Sequence, residues 1–205
     1  MQGYYAPALE NLIGLLTRLP GIGQKSATRI TLFLMRDKTS LALDTARALS
    51  EIKEKIRFCS VCFNFTETDP CPICSSPARA DGTVCVVEGP GDQLAIEEAG
   101  FFKGRYHVLH GVLSPLDDVG PEDLKIGELI ARIETEQVSE VILATNPTAE
   151  GEATASFIAK TITSRHPALK VSRIALGIPM GGDIKHTDRM TIGHSFRSRV
   201  RIGEA

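Results

Sequence analysis

Tryptophan is absent from the 205 residues of the chain, and aromatic residues make up only 5% of it. No apolar run comes close to the roughly 18 residues that a membrane-spanning helix needs. The first residues, Met-Gln-Gly-Tyr-Tyr, lack the basic and apolar regions of a secretory signal peptide. These absences argue against a membrane protein or a secreted protein. We therefore expect a cytoplasmic protein with no membrane partner.

The formal net charge is only −2, yet the charges are distributed unevenly along the chain. Residues 81–160 carry five Lys/Arg against fifteen Asp/Glu, a net charge of −10. Residues 1–57 carry nine against five, and residues 161–205 carry eight against three, which gives +4 and +5. Basic ends around an acidic middle predict separate partners, with nucleic acid at a basic end and a metal ion or a basic protein at the acidic segment.

Cysteine is scarce as well, and four of the five cysteines form two Cys-x2-Cys pairs that eight residues separate. In a reducing compartment such pairs bind metal more often than they form disulfides. Residues 58–80 are too few to build a core, so a metal ion would supply most of their folding free energy. The spacing predicts one structural Zn²⁺ per chain, although an iron–sulfur cluster or a redox dithiol pair remains an alternative. The expected ligands are Cys59, Cys62, Cys71 and Cys74.

A helical hairpin is predicted within residues 1–57, where leucines and isoleucines recur at the helical period on both sides of a Pro-Gly turn. Gly21 and Gly23 let a phosphate approach the backbone without meeting a Cβ atom. The first amides of the next helix favour an anion, and Lys25 and Arg29 share one face of that helix. This arrangement predicts DNA-backbone binding that is independent of base sequence. The alternative is an ordinary helical hairpin with solvated basic residues.

From residue 81 onward, short apolar runs alternate with helical stretches, which predicts an α/β domain with a mainly parallel sheet. The predicted strands are 83–87, 106–109, 141–144 and 171–175, and the predicted helices are 93–99, 125–136 and 152–164. The fold class is therefore multi-module α+β. Its predicted segments are a helix-hairpin-helix domain at 1–57, a small zinc finger at 58–80, the α/β domain at 81–175 and a glycine-rich C-terminal segment at 176–205.

Carboxylates stand near two strand ends of the α/β domain, where such sheets build their sites. Glu88 follows the first apolar strand, and Glu150 and Glu152 open the helix that follows the third. Oxygen ligands of this kind can hold Mg²⁺, which we consider as a second metal. The alternative is a solvated acidic rim without a ligand.

Both acidic segments resemble the Toprim domain that topoisomerases and bacterial primases share. The matching topoisomerase pattern reads Asp-Pro-Asp-Arg-Glu-Gly-Glu, whereas this chain has Asn-Pro-Thr-Ala-Glu-Gly-Glu at 146–152. Both aspartates and the arginine are replaced. Two-metal phosphoryl transfer needs such carboxylates to hold its ions, so we expect a retained binding surface rather than a catalytic site.

A DNA-gripping hairpin, a four-cysteine finger and a degenerate Toprim domain, in that order, resemble the RecR family of bacterial recombination mediators. The segment Gly-Ile-Pro-Met-Gly-Gly-Asp at 177–183 is similar to the C-terminal motif of that family. The resemblance implies a non-enzymatic homo-oligomer, in which dimers form a tetrameric ring that can encircle DNA. It also implies cooperation with RecO and RecF in loading RecA onto single-stranded DNA.

By this resemblance, Lys25 and Arg29 would face DNA, while Glu88, Glu150 and Glu152 would belong to a surface that RecO contacts. The protein would act in the cytoplasm in association with the nucleoid. Two other functions remain as alternatives. One is a Mg²⁺-dependent Toprim enzyme acting on DNA, such as a nuclease, primase or topoisomerase, and the other is a zinc-finger module that binds protein alone.

Overall fold

The computed structural model describes residues 5–199, so the outer ends of the predicted segments 1–57 and 176–205 lie outside the described residues. The described chain forms two compact units, which meet in sequence between residues 56 and 57. The first unit contains the helices α1 (Pro7–Leu16), α2 (Gln24–Arg36) and α3 (Leu41–Lys55). The second unit contains β1 (Arg57–Phe58), β2 (Phe65–Thr66), α4 (Pro72–Ser75), β3 (Thr83–Val87), α5 (Pro90–Ala99), β4 (Arg105–Val108), α6 (Ile126–Thr135), β5 (Glu140–Leu143), α7 (Ala149–Arg165), β6 (Lys170–Arg173) and α8 (Arg189–Arg197).

The helical hairpin of the first unit forms where the sequence predicts it. Pro7 opens α1, where its missing N–H and fixed φ suit the first turn of a helix. The chain then turns through Gly21, whose φ of +76° lies in the left-handed region that glycine adopts without strain. The buried residues of α1 and α2 are Ile13, Ala27 and Thr31. By contrast, α3 buries none of its residues, so its apolar side chains remain exposed.

The four longer strands of the second unit form one parallel sheet in the order β4-β3-β5-β6. The predicted parallel sheet is thereby confirmed. Strands β4, β5 and β6 begin one residue earlier than predicted, at Arg105, Glu140 and Lys170. These polar residues pair in the ladder, with Arg105 opposite Val84 and Glu140 opposite Lys170. Apolar runs report burial, whereas strand limits depend on backbone hydrogen bonds, and this difference accounts for the shift.

Helices cover both faces of the sheet, and β3 shows how the sequence divides between them. Val84 and Val86 face the main core, which α6 and α7 complete with buried leucine and isoleucine side chains. Cys85 and Val87 face the other side, where Tyr106 and Val108 of β4 join them. This alternation follows from the two-residue period of a strand. Within residues 5–199, none of the helices has both the length and the apolar character that a bilayer crossing requires.

The four-cysteine finger shares its compact unit with the sheet. Its strands β1 and β2 pair antiparallel, with Arg57 opposite Thr66. Ile73 of α4 packs against both the buried cysteines and the second face of the sheet. The finger therefore covers part of that face. Because the finger has no core of its own, this contact with the sheet adds to the support that the buried cysteines give it.

Candidate functional site

Four buried cysteine side chains converge in the finger. The Sγ atoms of Cys59, Cys62, Cys71 and Cys74 all lie within 4.8 Å of one another, and those of Cys62 and Cys71 are 3.6 Å apart. A tetrahedral site with Zn–S bonds of about 2.3 Å has sulfur–sulfur edges of about 3.8 Å. The amide N–H of Cys71 donates to Cys59 Sγ at 3.3 Å, and that of Cys74 donates to Cys71 Sγ at 3.5 Å. The donor set therefore fits a zinc ion bound by thiolates.

Electrostatics within the cluster favour a cation. The pKa of Cys62 falls to about 5, chiefly because Cys74 donates a hydrogen bond to its sulfur. Burial raises the pKa of Cys71 to about 11, and the hydrogen bond to Cys62 raises the pKa of Cys74 as well. One thiolate thus suppresses ionisation of its neighbours, and a divalent cation at the centre removes that repulsion.

Hydrogen bonds fix the metal-binding turn to strand β4. Val108 N–H donates to the carbonyl oxygen of Cys62 at 2.8 Å, and Nε2 of His110 lies 2.6 Å from the carbonyl oxygen of Phe63. Phe63 adopts a φ of +63°, which is uncommon for residues other than glycine. Its ring packs edge-on against His107, which is fully buried and whose pKa burial lowers to about 4. The zinc site and the edge of the sheet are therefore one connected structure.

The carboxyl edge of the sheet carries the acidic residues that the sequence indicated. From β3 the chain continues to its neighbour β4 toward one side edge of the sheet, and from β5 it continues to its neighbour β6 toward the other. In such sheets a crevice opens between the carboxyl ends of the two central strands, here β3 and β5. Glu88 follows β3 and accepts two hydrogen bonds from Asn146, one from the backbone N–H at 2.7 Å and one from the side-chain amide at 2.6 Å. Where the catalytic pattern has an aspartate, this chain has an amide that donates to the glutamate.

Gly151 lets helix α7 begin directly against this pair. A Cβ atom at Gly151 would lie 2.1 Å from the carbonyl oxygen of Asn146 and 2.7 Å from Glu88 Oε1, so a larger residue would displace both. The hydroxyl of Thr148 caps the helix by accepting the Gly151 N–H at 3.0 Å. Acidic residues in the first turn of α7 are stabilised by the helix dipole. Glu150 and Glu152 therefore lie where the helix dipole favours negative charge.

Glu152 has a partner of its own, because Arg173 at the end of β6 donates a hydrogen bond to its carboxylate. The same guanidinium donates to Thr145 Oγ1 at 2.9 Å and to the carbonyl oxygen of Leu143 at 3.1 Å. Glu150 is exposed on the first turn of α7.

The three carboxylates are not brought together as a magnesium site. Within residues 5–199, the four cysteines form the sole group of three or more ligating side chains close enough to share an ion. The side chains of Glu88, Glu150 and Glu152 therefore do not converge on one point in this structure, and Mg²⁺ binding at this edge stays a prediction. Two of the three are instead engaged by hydrogen-bond donors of the chain itself.

In the first unit, the residues predicted to contact DNA lie around the start of α2. Gly23 is the N-cap in an extended conformation, and no side chain caps the helix. Among the described residues, no atom lies within 4 Å of the Cβ positions at Gly21 or Gly23. Lys25 and Arg29 are exposed on the same helix. The first N–H groups of α2 are therefore accessible to an anion.

Two side chains of the acidic edge do not stand out in the sequence as functional residues. In the sequence, Asn146 is notable only because it replaces an aspartate of the topoisomerase pattern, and Arg173 belongs to no motif. The signal for Arg173 is a basic residue at the end of an apolar strand, because all carboxyl ends of a parallel sheet meet at one edge. For Asn146 the signal is the replacement itself, since an amide can donate a hydrogen bond where a carboxylate cannot.

Family models match the chain in the order that the structure shows. The RecR helix-hairpin-helix matches residues 9–53, the RecR four-cysteine zinc finger domain 56–76, the Toprim domain 82–175 and the RecR C-terminal model 177–200. A protein named Recombination protein RecR from Syntrophobacter fumaroxidans is 52% identical over 195 residues, which cover 95% of this chain and 96% of that protein. Its namesake from Syntrophotalea carbinolica is 50% identical over 198 residues, which cover 97% and 98%.

A helix-hairpin-helix, a four-cysteine zinc finger and a Toprim domain in one chain define a class of modular Toprim protein with a thiolate zinc site. Within that class, the chain belongs to the RecR family. The match to the zinc finger domain and the converging sulfur atoms together assign a structural zinc ion to the finger.

Purified protein should contain about one zinc ion per chain, since the four thiolates build one closed site. Cys59→Ser should lose the zinc and lower the Tm by about 10 °C, because the turn that anchors β4 loses a ligand. Elemental analysis measures the metal, and circular dichroism follows the melting.

The matched control is Cys85→Ser, which alters a buried cysteine of β3 outside the cluster. This variant should keep its zinc even where the buried hydroxyl lowers stability. Iron in place of zinc, or full metal content in Cys59→Ser, would contradict the assignment.

Proposed function

We propose that the protein is a non-enzymatic DNA-binding clamp and adaptor in recombinational DNA repair. In this proposal it acts with RecO and RecF to help load RecA onto single-stranded DNA, in the cytoplasm at the nucleoid. The observation that carries the proposal is the uncapped start of α2 with its open glycines and basic face. The relatives from Syntrophobacter fumaroxidans and Syntrophotalea carbinolica are likewise named recombination proteins.

The DNA contact is proposed for Gly21, Gly23, Lys25 and Arg29. Free N–H groups at a helix start hold a phosphate oxygen, and a glycine turn lets the backbone come close to it. Lys25 and Arg29 add positive charge one helical turn apart. Contacts of this type go to phosphates rather than to base edges, so they carry affinity without sequence preference.

A ring needs contacts between copies of the chain, and exposed apolar side chains support such contacts. Leu41, Leu49 and Ile52 lie on one side of α3 and are exposed in the single chain. Near the other end, Met180 and Phe196 are exposed as well, at 103% and 68%. Large exposed apolar groups in one chain are typical of an interface. We assign the α3 face to a homo-oligomer contact and propose a tetrameric ring built from dimers.

The partner contact is proposed for the acidic edge around Glu88, Glu150 and Glu152. Residues 81–160 carry fifteen Asp/Glu against five Lys/Arg, and such a field attracts a basic protein while it repels DNA. Beside this edge lies a cavity of about 570 Å³, lined by the start of α7 and by residues of α8. We assign this surface to RecO, with RecF as a further partner.

The absence of catalysis is proposed from the engagement of Glu88. Both of its oxygens accept hydrogen bonds from Asn146, a neutral donor at the position where the catalytic pattern has a carboxylate. Two-metal catalysis at a Toprim site would need additional carboxylates here. Mg²⁺-dependent DNA cleavage or synthesis that disappears with Glu88→Gln would contradict this part of the proposal.

Replacing both Lys25 and Arg29 by alanine should weaken DNA binding for every base sequence tested. The slope of log K against log salt concentration should fall by about 1 for each phosphate that the variant no longer neutralises. A filter-binding titration at several salt concentrations measures both effects. The control variant, Lys160→Ala with Arg165→Ala, removes two exposed charges from α7 and should keep the parental slope. An unchanged affinity in the hairpin variant would exclude this contact.

Light scattering should give a molar mass of four times the 22.2 kDa of the chain. Leu49→Asp should reduce that mass, because it places a charge in the apolar face of α3. Leu94→Asp is the control, since Leu94 is similarly exposed on α5. A stable monomer of the unmodified protein would remove the clamp from the proposal.

Glu150→Arg should weaken binding to purified RecO by about tenfold or more, because a like charge then faces a basic partner. Surface plasmon resonance at two salt concentrations measures the effect. Glu122→Arg makes the same charge change at another exposed position of the acidic segment. Equal losses in both variants would show that the segment acts only through its net charge.

A further inference from the structure

Three arginine side chains line a recess at the amino edge of the parallel sheet. Arg79 precedes β3, Arg105 is the first residue of β4, and Arg132 lies on the last turn of α6. The recess has a volume of about 250 Å³, and the loop at Gln137 closes one side of it. It lies at the opposite end of the strands from the acidic edge, because Arg105 begins β4 whereas Glu88 follows the end of β3.

The charges around this recess do not balance. Arg79 is neutralised by Glu97, to which it donates two hydrogen bonds at 2.7 and 2.8 Å. Arg105 and Arg132 have one carboxylate between them: Glu136 Oε2 lies 3.9 Å from Arg105 and 3.1 Å from Arg132. Two guanidinium groups against one carboxylate leave one positive charge in excess.

The same two arginines also hold hydrogen-bond donors that lack acceptors. The Arg132 side chain is only 5% exposed, and its Nη1 donates to the carbonyl oxygen of Tyr106 at 2.6 Å. Among residues 5–199, Nη2 of Arg132 and Nε of Arg105 have no hydrogen-bond partner. Nε of Arg132 is near Glu136 but is not aligned for a hydrogen bond. Buried charged donors without acceptors destabilise a protein, so this end of the sheet is stabilised by a negative charge held close to it.

We propose that this recess is a binding site for a phosphate group. The planar guanidinium presents paired N–H donors that match the oxygens of phosphate, and buried arginines hold such groups more firmly than exposed ones. Its volume is about eight times that of a water molecule in the liquid, so the recess also admits the group esterified to the phosphate. The DNA-binding hairpin and the acidic edge are not involved, so this site is independent of the proposed function.

Calorimetric titration of the full-length protein with inorganic phosphate, in a phosphate-free buffer of low ionic strength, tests the proposal. Arg105→Gln should weaken phosphate binding by about tenfold or more, because it removes the excess charge and a donor. Arg165→Gln is the matched control, since Arg165 is an exposed arginine of the same unit outside the recess. It should bind phosphate as the parent does.

Glu136→Gln provides a second test with the opposite sign. Removing the shared carboxylate leaves two uncompensated guanidinium groups, so phosphate should bind more tightly and should raise the Tm more than in the parent. This measurement stays informative if Arg105→Gln fails to fold. Absence of phosphate binding at millimolar concentration, or equal binding by the parent, Arg105→Gln and Glu136→Gln, would overturn the proposal.

Further titrations identify the source of the phosphate. Tighter binding of a nucleoside monophosphate than of inorganic phosphate assigns the site to a nucleotide. A preference for an oligonucleotide with a 5′-phosphate over the same oligonucleotide with a 5′-hydroxyl assigns it to a DNA end. Equal affinities assign it to phosphate itself.

Discussion

One hydrogen bond, from the N–H of Val108 to the carbonyl oxygen of Cys62, connects a metal site to the exposed side of edge strand β4. An edge strand needs its free backbone groups satisfied or covered, and a four-cysteine finger needs support because it is too small for a core. The finger therefore covers the free edge of β4, and β4 in turn supports the finger. Ile73 extends the contact over the second face of the sheet. Phe63 follows Cys62 with a left-handed φ, and its carbonyl oxygen is held by the contact with His110.

The carboxyl edge of the same sheet shows how side chains of the chain itself offset the charge of the carboxylates at a Toprim site. A glutamate beside an aspartate repels it unless a cation lies between them. Asn146 converts that repulsion into two hydrogen bonds to Glu88, and Gly151 keeps the space in which α7 starts against the pair. Arg173 takes over the neutralisation of Glu152. The backbone geometry of the site is thus stabilised by neutral and cationic side chains of the chain itself.

The sequence was sufficient for the order of the modules, the parallel sheet and the zinc ligands, because each depends on a local pattern. Two glycines mark the hairpin, two Cys-x2-Cys pairs mark the zinc site, and apolar runs mark the strands. Interactions between distant segments could not be predicted from the sequence. Examples are the hydrogen bonds from Asn146 to Glu88 and the contact between the finger and β4. The first strand residues, such as Arg105, were missed because hydropathy records burial and not backbone pairing.

The two ends of the strands carry opposite local charge although both lie within a segment of net charge −10. Five residues of β3 span about 16 Å from the arginine recess to the acidic edge. Solvent-exposed charges are largely screened beyond about 8 Å at physiological ionic strength, so the two ends influence each other weakly. A basic protein can therefore be attracted to one end while Arg105 and Arg132 hold an anion at the other. The anion site must then act through direct, buried hydrogen bonds, because the surrounding acidic field gives a phosphate no attraction at long range.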